Sequence, residues 1–390
     1  MTNFNILYKD EKTFARVTEV KTRHGTFLTP LFLPVGTLGV VKTLTYDELK
    51  VIDVEAFITN TYHLYFRPGV DVLKQFNGLH RFINWERVIF SDSGGFQVYS
   101  LRDLKKITEE GVEFKSHLDG TTHFFTPEKV VDLQKVIGAD IIHCLDECVE
   151  YPTEYEYAKK SVELTTLWAQ RTKKQFMVDN LEFSKNSEQK TVNNRQLLFG
   201  IIQGSMFKDL RKQSLEQIVE IGFDGYSVGG LSVGEPRSLM YEIVRFLAEL
   251  LPEDKPRYIM GIGEIEDVWE CIENGLDIMD CVLPTRNGRN GQAVTSYGKI
   301  NIKNARYRND DTKLDSECKC EVCQNYSRGL IHHYFRSGEL LGMRLLSYHN
   351  VYFMINMFKT IREAIKNKNF LNAKKDFFKK YTQEEILVQS

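Results

Sequence analysis

Short apolar runs rich in β-branched and aromatic residues recur along the chain, each closing on small or polar residues. Stretches of helical periodicity follow them. Eight runs read as strands: Phe27–Val35, Ala56–Tyr62, Val88–Gly94, Asp140–Glu147, Leu197–Gly204, Gly225–Leu231, Arg257–Gly263 and Asp277–Pro284. Several, such as IIHCL at 141–145 and LLFGII at 197–202, are continuously apolar, the pattern of parallel strands covered on both faces. Between them lie amphipathic stretches at Pro127–Ile137, Tyr155–Lys174, Phe207–Ile221 and Arg237–Leu251, with Thr126 and Glu235-Pro236 as helix starts. Eight strand–helix units predict an α/β fold, a TIM (β/α)8 barrel; an open doubly wound sheet is the competing topology.

Two stretches break the rhythm. Val178–Gln196 is polar and lacks apolar periodicity, which predicts an exposed loop insertion. From Thr285 onward the strand–helix alternation stops, a cysteine cluster appears, and Leu345–Lys380 reads as helix with a basic end. The expected division is a catalytic barrel at 1–284 and, at 285–390, a metal-binding subdomain with C-terminal helices packed on it.

Composition adds little to the fold but narrows the chemistry. With 42% hydrophobic and 27% charged residues the chain has ample core, and no apolar run approaches the ~18 residues of a membrane span. Met1–Asp10 lacks the features of a secretory signal, so a reducing cytoplasm is expected, and with it metal binding in preference to disulfides for the seven cysteines. Net charge is −2, yet Thr285–Leu345 carries eleven Lys/Arg against six Asp/Glu. A locally basic face suits a polyanion; a solvated surface explains it as well.

Catalytic groups of TIM barrels sit at the C-terminal ends of the strands. Those ends offer Asp92 in FSDSGGF, Asp146 in CLDEC, Gln203 in IIQGS, Gly229-Gly230-Leu231, Met260-Gly261 and Asp280 in IMDCVLP. A single Asp there commonly caps the next helix, and Gly pairs commonly make tight turns. Three Asp at matching ends point instead to a shared site. Two carboxylates facing one substrate permit glycosyl chemistry, one as nucleophile and one handling a proton, and two displacements retain configuration at the sugar. A third Asp, a Gln amide and backbone N–H groups can read the edge of a purine. Spacing alone does not say which Asp does what.

Cys318, Cys320 and Cys323 form CxCxxC, and a histidine completes a tetrahedral site with no open position, hence a structural Zn2+. His349 is one candidate for the fourth ligand; His332 and His333 compete. Cys144, Cys148, Cys271 and Cys281 read as packing residues. TRNGRNG at 285–291 offers Arg286, Arg289, Asn287 and Asn290 as phosphate and base-edge donors, or is simply a polar turn.

In order and in combination, FSDSGGFQV, CLDEC, GIIQG, SVGGLSVGE, MGIGEIEDV, DIMDCVLPTRNGRNG and CxCxxC…YHN resemble the tRNA-guanine transglycosylases, from about Phe14 to about Met357. The resemblance implies a TIM barrel with a zinc-binding subdomain. It implies exchange of guanine in tRNA for a deazaguanine through a covalent intermediate, with Asp280 as nucleophile and Asp92 as general acid/base. Asp146, Gln203, Gly230 and the Leu231 backbone correspond to base-binding groups, Ser93, Gly94, Gly95 and Phe96 to the pocket lining, and Met260 to a residue packing on the base. Gly261, Ile262, Gly263, Glu264, Ile265, Glu266 and Asp267 correspond to one tRNA-contacting segment. Thr285, Arg286, Asn287, Gly288 and Arg289 correspond to another, beside the wobble base of the anticodon loop. Cys318, Cys320, Cys323 and His349 match the zinc ligands, so the resemblance selects His349.

Cys148 and Val233 follow the bacterial pattern, which implies 7-aminomethyl-7-deazaguanine (preQ1) as incoming base, and bacterial members imply a homodimer. No redox or nucleotide cofactor and no membrane is expected. Gly288, Ile265 and Phe96 depart from the family's usual Ala, Pro and Tyr. Rival readings are a barrel nucleosidase that releases a base to water, and a non-catalytic RNA-binding subunit; the latter would be expected to lose the carboxylates.

Overall fold

The computed structural model describes residues 3–95, 105–186 and 195–382. Eight parallel strands close into a barrel: β1 (Leu31–Gly36), β2 (Ala56–Thr59), β3 (Val88–Ser91), β4 (Ile141–His143), β5 (Leu197–Ile202), β6 (Gly225–Val228), β7 (Arg257–Ile259) and β8 (Ile278–Cys281). Closure rests on β8 pairing with β1, Met279 opposite Phe32 and Asp280 opposite Leu33, which excludes the open sheet. Leu31, Leu33, Ile58, Phe90, Ile141, Phe199, Tyr258 and Ile278 fill the interior. Their strand neighbours Phe32, Phe57, Ile89, Ile142, Leu198 and Ile259 face the helices. The period-2 alternation of strands therefore buries both faces, which is why the runs look unbroken in sequence.

The strands stop earlier than the apolar runs. Beyond Ser91, His143, Ile202, Val228 and Ile259 the chain leaves the barrel wall, and Gly94, Gly204, Gly230 and Gly261 turn it at positive φ. The run Phe27–Val35 is divided. Gly25–Thr29 pairs antiparallel with Arg16–Thr22, and Leu31 opens β1 after the cis Thr29-Pro30 bond. Val20 and Phe27 of that hairpin pack into the barrel interior from one end. Between β3 and β4 a three-stranded antiparallel sheet (Lys105–Thr108, Gly111–Lys115, Thr122–Phe125) packs Phe114 and Phe125 with Tyr62 and Trp168.

Two expectations need correction. The helix begun at Tyr155 continues to Asn186, so residues 178–186 are not loop; of the rest of that expected insertion, 187–194 lie outside the described residues, and Arg195 and Gln196 are irregular chain leading into β5. Leu345–Lys380 is two helices, Leu340–Lys366 and Phe370–Tyr381, separated where Lys368 adopts φ +54°. The TRNGRNG segment is itself mostly helical, Leu283–Arg289. It lies against the Leu340–Lys366 helix, with Gly288 so close that a Cβ would stand 2.6 Å from the Ser347 nitrogen. The same long helix returns to the barrel, where Phe358 meets Phe32 and Arg362 binds Glu55 and the carbonyls of Leu28 and Pro30. Among the described residues no helix is long and apolar enough to cross a membrane.

Candidate active site and metal centre

The loops after β3, β4, β5, β6, β7 and β8 bring the predicted residues to one rim. Asp280, the third residue of β8, is held through one oxygen: Oδ1 accepts the Tyr258 hydroxyl at 2.6 Å and the Gly261 N–H at 3.0 Å. Asp92, one residue beyond β3, is gripped on both oxygens. Oδ1 accepts the N–H groups of Thr61 (3.0 Å) and Gly94 (3.1 Å), and Oδ2 accepts the Asn60 amide at 2.6 Å. Burial pushes the Asp92 carboxyl up to about 7; these hydrogen bonds oppose the shift and the nearby Asp280 charge adds to it. Burial also raises Asp280, against the Tyr258 and Gly261 hydrogen bonds.

Next to this pair lies a hydrogen-bonding edge. Asp146 accepts from Ser93 Oγ at 3.1 Å and from Gln203 Nε2 at 2.8 Å. Burial, chiefly, lifts its carboxyl to about 6. Gln203 Oε1 is buried and, among the described residues, has no partner, an acceptor without a donor. Gly230, at φ +62°, explains how the amide reaches this position, since a Cβ there would stand 2.4 Å from Gln203 Oε1. Gly95 has the same character, with the Asp146 carbonyl 2.8 Å from an added Cβ. Leu231 is buried and Met260 half-buried beside them; Phe96 lies outside the described residues.

The two expected tRNA-contacting segments differ in exposure. Gly261 is exposed, and Gly263, Glu264 and Glu266 are half-buried, with Glu264 paired to Lys299. Ile262 and Ile265 are buried, and Asp267 binds Arg237 (2.7 Å) and the Tyr241 hydroxyl. In the second segment Arg286 is exposed and Asn287 and Arg289 are half-buried, while Thr285 and Gly288 face the Leu340–Lys366 helix.

Sequence reasoning missed the residues that hold these groups. Asn60 and Thr61 begin the short helix after β2, and Tyr258 is an inward-facing residue of β7 with no exposed surface. A tyrosine inside a strand must find a partner for its hydroxyl, which was the available signal.

The cysteine cluster is assembled by two helices and the loop before the first of them, which carries Cys318. Cys320 caps the Glu321–Asn325 helix, Cys323 lies within it, and His349 comes from Leu340–Lys366. The donor atoms of Cys318, Cys320, Cys323 and His349 all lie within 4.8 Å of one another, and all four residues are buried. His349 Nε2 lies 2.8 Å from the Val294 carbonyl, which orients Nδ1 toward the Cys320 and Cys323 sulfurs at 3.5 and 3.3 Å. The neighbouring Asn350 secures the same strand, accepting from Val294 N–H and donating to the carbonyls of Pro284 and Gln292. His332 instead pairs Nδ1 with the Ile302 carbonyl at 2.7 Å. Three soft thiolate donors and one imidazole fit a single closed tetrahedral ion.

Residues 10–383 match the family model described as Queuine tRNA-ribosyltransferase. The chain belongs to this family. Proteins named Queuine tRNA-ribosyltransferase resemble it over nearly their whole length. The one from Ruminiclostridium cellulolyticum is 51% identical over 97% of this chain and 98% of its own. The one from Thermoanaerobacter sp. (strain X514) is 50% identical over 98% of each. That of Pelotomaculum thermopropionicum is 46% identical over 97% of this chain and 98% of its own. The family thus has the closed barrel and the Cys3His cluster as its frame in this chain.

Proposed function

We propose that this enzyme is a tRNA-guanine transglycosylase that exchanges the wobble guanine of GUN-anticodon tRNAs for preQ1, a step of queuosine synthesis. The observation that carries the reading is the paired carboxylates: Asp280 anchored through one oxygen, Asp92 raised to about 7 beside it. Asp280 Oδ2 attacks the ribose C1′, the C1′–N9 bond breaks, and its electron pair leaves on guanine, which takes a proton from Asp92. The incoming base returns its N9 proton to Asp92 and attacks C1′, releasing the aspartyl ester. Two inversions give net retention. Guanine and deazaguanine glycosides are alike in energy, so no ATP or redox cofactor is needed.

Asp146, Gln203 and the N–H groups of Gly230 and Leu231 bind the base, with Ser93, Gly94 and Gly95 around it and Met260 on its face. Anticodon-loop bases are single-stranded and enter a pocket at low unstacking cost. The exposed Arg286 and the rim at Gly261–Asp267 contact the RNA. The cluster at Cys318, Cys320, Cys323 and His349 holds one structural Zn2+, which ties the 285–390 subdomain together and takes no part in the chemistry. Cys148 and Val233 support preQ1 as the incoming base. A cytoplasmic homodimer, one subunit orienting tRNA for the other, completes the proposal.

The test is tRNA-dependent incorporation of labelled guanine, with preQ1 as competitor. Wild type should incorporate and preQ1 suppress it; Asp280→Asn should lose exchange while keeping tRNA affinity. Release of base to water without tRNA would favour the nucleosidase, and full activity of Asp280→Asn would refute the nucleophile.

A further inference from the structure

Arg211, on the helix Lys208–Ile221 after β5, has no exposed surface, and none of its hydrogen bonds goes to a carboxylate. A buried cation without an ion pair is costly unless its N–H groups are satisfied otherwise. Here backbone carbonyls do so. Nε donates to Ser205 O (2.7 Å), Nη1 to Ile202 O (3.0 Å) and Gly229 O (2.7 Å), and Nη2 to Gly230 O (3.0 Å). One guanidinium therefore fixes the loops after β5 and β6, where Ser205 (φ +49°) and Gly230 (φ +62°) take left-handed conformations.

A trans peptide points its C=O and N–H in opposite directions. Drawing the carbonyls of Gly229 and Gly230 onto the guanidinium turns the N–H groups of Gly230 and Leu231 away from it. The Gly229 N–H is taken by Ile202 O at 3.0 Å; those of Gly230 and Leu231 have no partner among the described residues. Gln203, whose amide touches Gly230 and whose Nε2 binds Asp146, sits beside these two donors.

We infer that Arg211 is the positioning residue that aims the Gly230 and Leu231 N–H groups at the carbonyl oxygen of the purine, and that its charge acts through those peptides. The inference rests on the base-exchange reading above. When guanine leaves, the electron pair of the C1′–N9 bond delocalises through the ring onto that oxygen. Two preorganised N–H donors backed by a buried cation stabilise the charge where it develops, as in an oxyanion hole.

The experiment compares the full-length zinc-loaded wild type with Arg211→Lys and Arg211→Met. Guanine and 2,6-diaminopurine, which carries an amino group in place of the carbonyl oxygen, are titrated by calorimetry without tRNA; exchange kinetics follow. We expect Arg211→Lys to lower kcat about a hundred-fold, the scale of one lost oxyanion donor. It should reduce the preference for guanine over 2,6-diaminopurine about ten-fold, the loss of one base-edge hydrogen bond, with 2,6-diaminopurine and tRNA affinities unchanged. Equal weakening of both bases, an unchanged preference, or loss of the wild-type melting transition in both variants would overturn the inference. If wild type discriminates between the bases but exchanges neither, the proposed function has failed and the calorimetric comparison still decides the role of Arg211.

Discussion

Replacing Tyr258 by Phe removes one oxygen and one hydrogen bond, the 2.6 Å contact to Asp280 Oδ1. The Gly261 N–H still reaches the same oxygen at 3.0 Å, so the carboxylate keeps an anchor. A hydrogen bond to a charged group is worth about 1.5–3 kcal/mol. Since the Tyr258 bond favours the ionised form of Asp280, its loss adds to the upward push of burial. At 1.36 kcal/mol per unit, the Asp280 carboxyl should rise by about one to two pH units. The proposed nucleophile must be ionised to attack, so the acid limb of the pH profile for guanine exchange should move up by that amount. Well above the limb the rate should approach wild type unless orientation also suffers. The assay is initial-rate exchange at saturating tRNA from pH 5 to 9. An acid limb that stays in place, with the rate lowered uniformly, would show that Tyr258 does not govern ionisation of the nucleophile.

Three further outcomes follow from particular contacts. Because the folded state raises Asp92 to about 7, it binds the proton more tightly than the unfolded chain between the ordinary carboxylate range and that value. This group therefore takes stability away as pH rises through the window; Asp92→Asn should gain in melting temperature relative to wild type from pH 4 to 8, and a flat difference would refute it. Gly288→Ala places a methyl group 2.6–2.7 Å from the backbone of Ser347, so overpacking should cost about 1–3 kcal/mol; an unchanged melting temperature would show that the helices part freely. Cys320→Ser, or chelation of wild type, should release the proposed zinc ion and remove several kcal/mol of stability, because metal binding at a site made only on folding is folding energy; metal analysis with calorimetry checks both.

The barrel was legible because its strands are buried on both faces and end in turn residues, a pattern that eight runs repeat. Their ends were less legible: a run stays apolar past the last strand residue, as Cys144 and Leu145 do after β4. The helix through 178–186 escaped because it prolongs an existing helix without an apolar stripe of its own. CxCxxC announced a metal, but His349 had to be selected by resemblance. The geometry that agrees with it, Nε2 on Val294 and Nδ1 toward the thiols, depends on a strand 55 residues away. Gly288 looked like a departure from the usual residue, and the close approach of Ser347 supplies its reason.

What separates Asp280 from Asp92 was legible only through the resemblance, not from the residues themselves, because the two side chains are chemically identical and their environments are built from distant backbone. Both donors to Asp280 fall on Oδ1, and among the described residues no donor from another residue reaches Oδ2. That leaves one oxygen with its lone pairs available for attack on carbon. Asp92 has donors on both oxygens, two of them N–H groups of Thr61 and Gly94 and the third an amide from Asn60, 32 residues earlier. Such a carboxylate is a poorer carbon nucleophile, and with its affinity for a proton raised to about 7 it is suited to proton transfer near neutrality. Burial pushes both groups the same way, so the proposed division of labour rests on where the hydrogen bonds land, and among the described residues the Tyr258 hydroxyl is the one such donor to Asp280 that a side-chain substitution can remove.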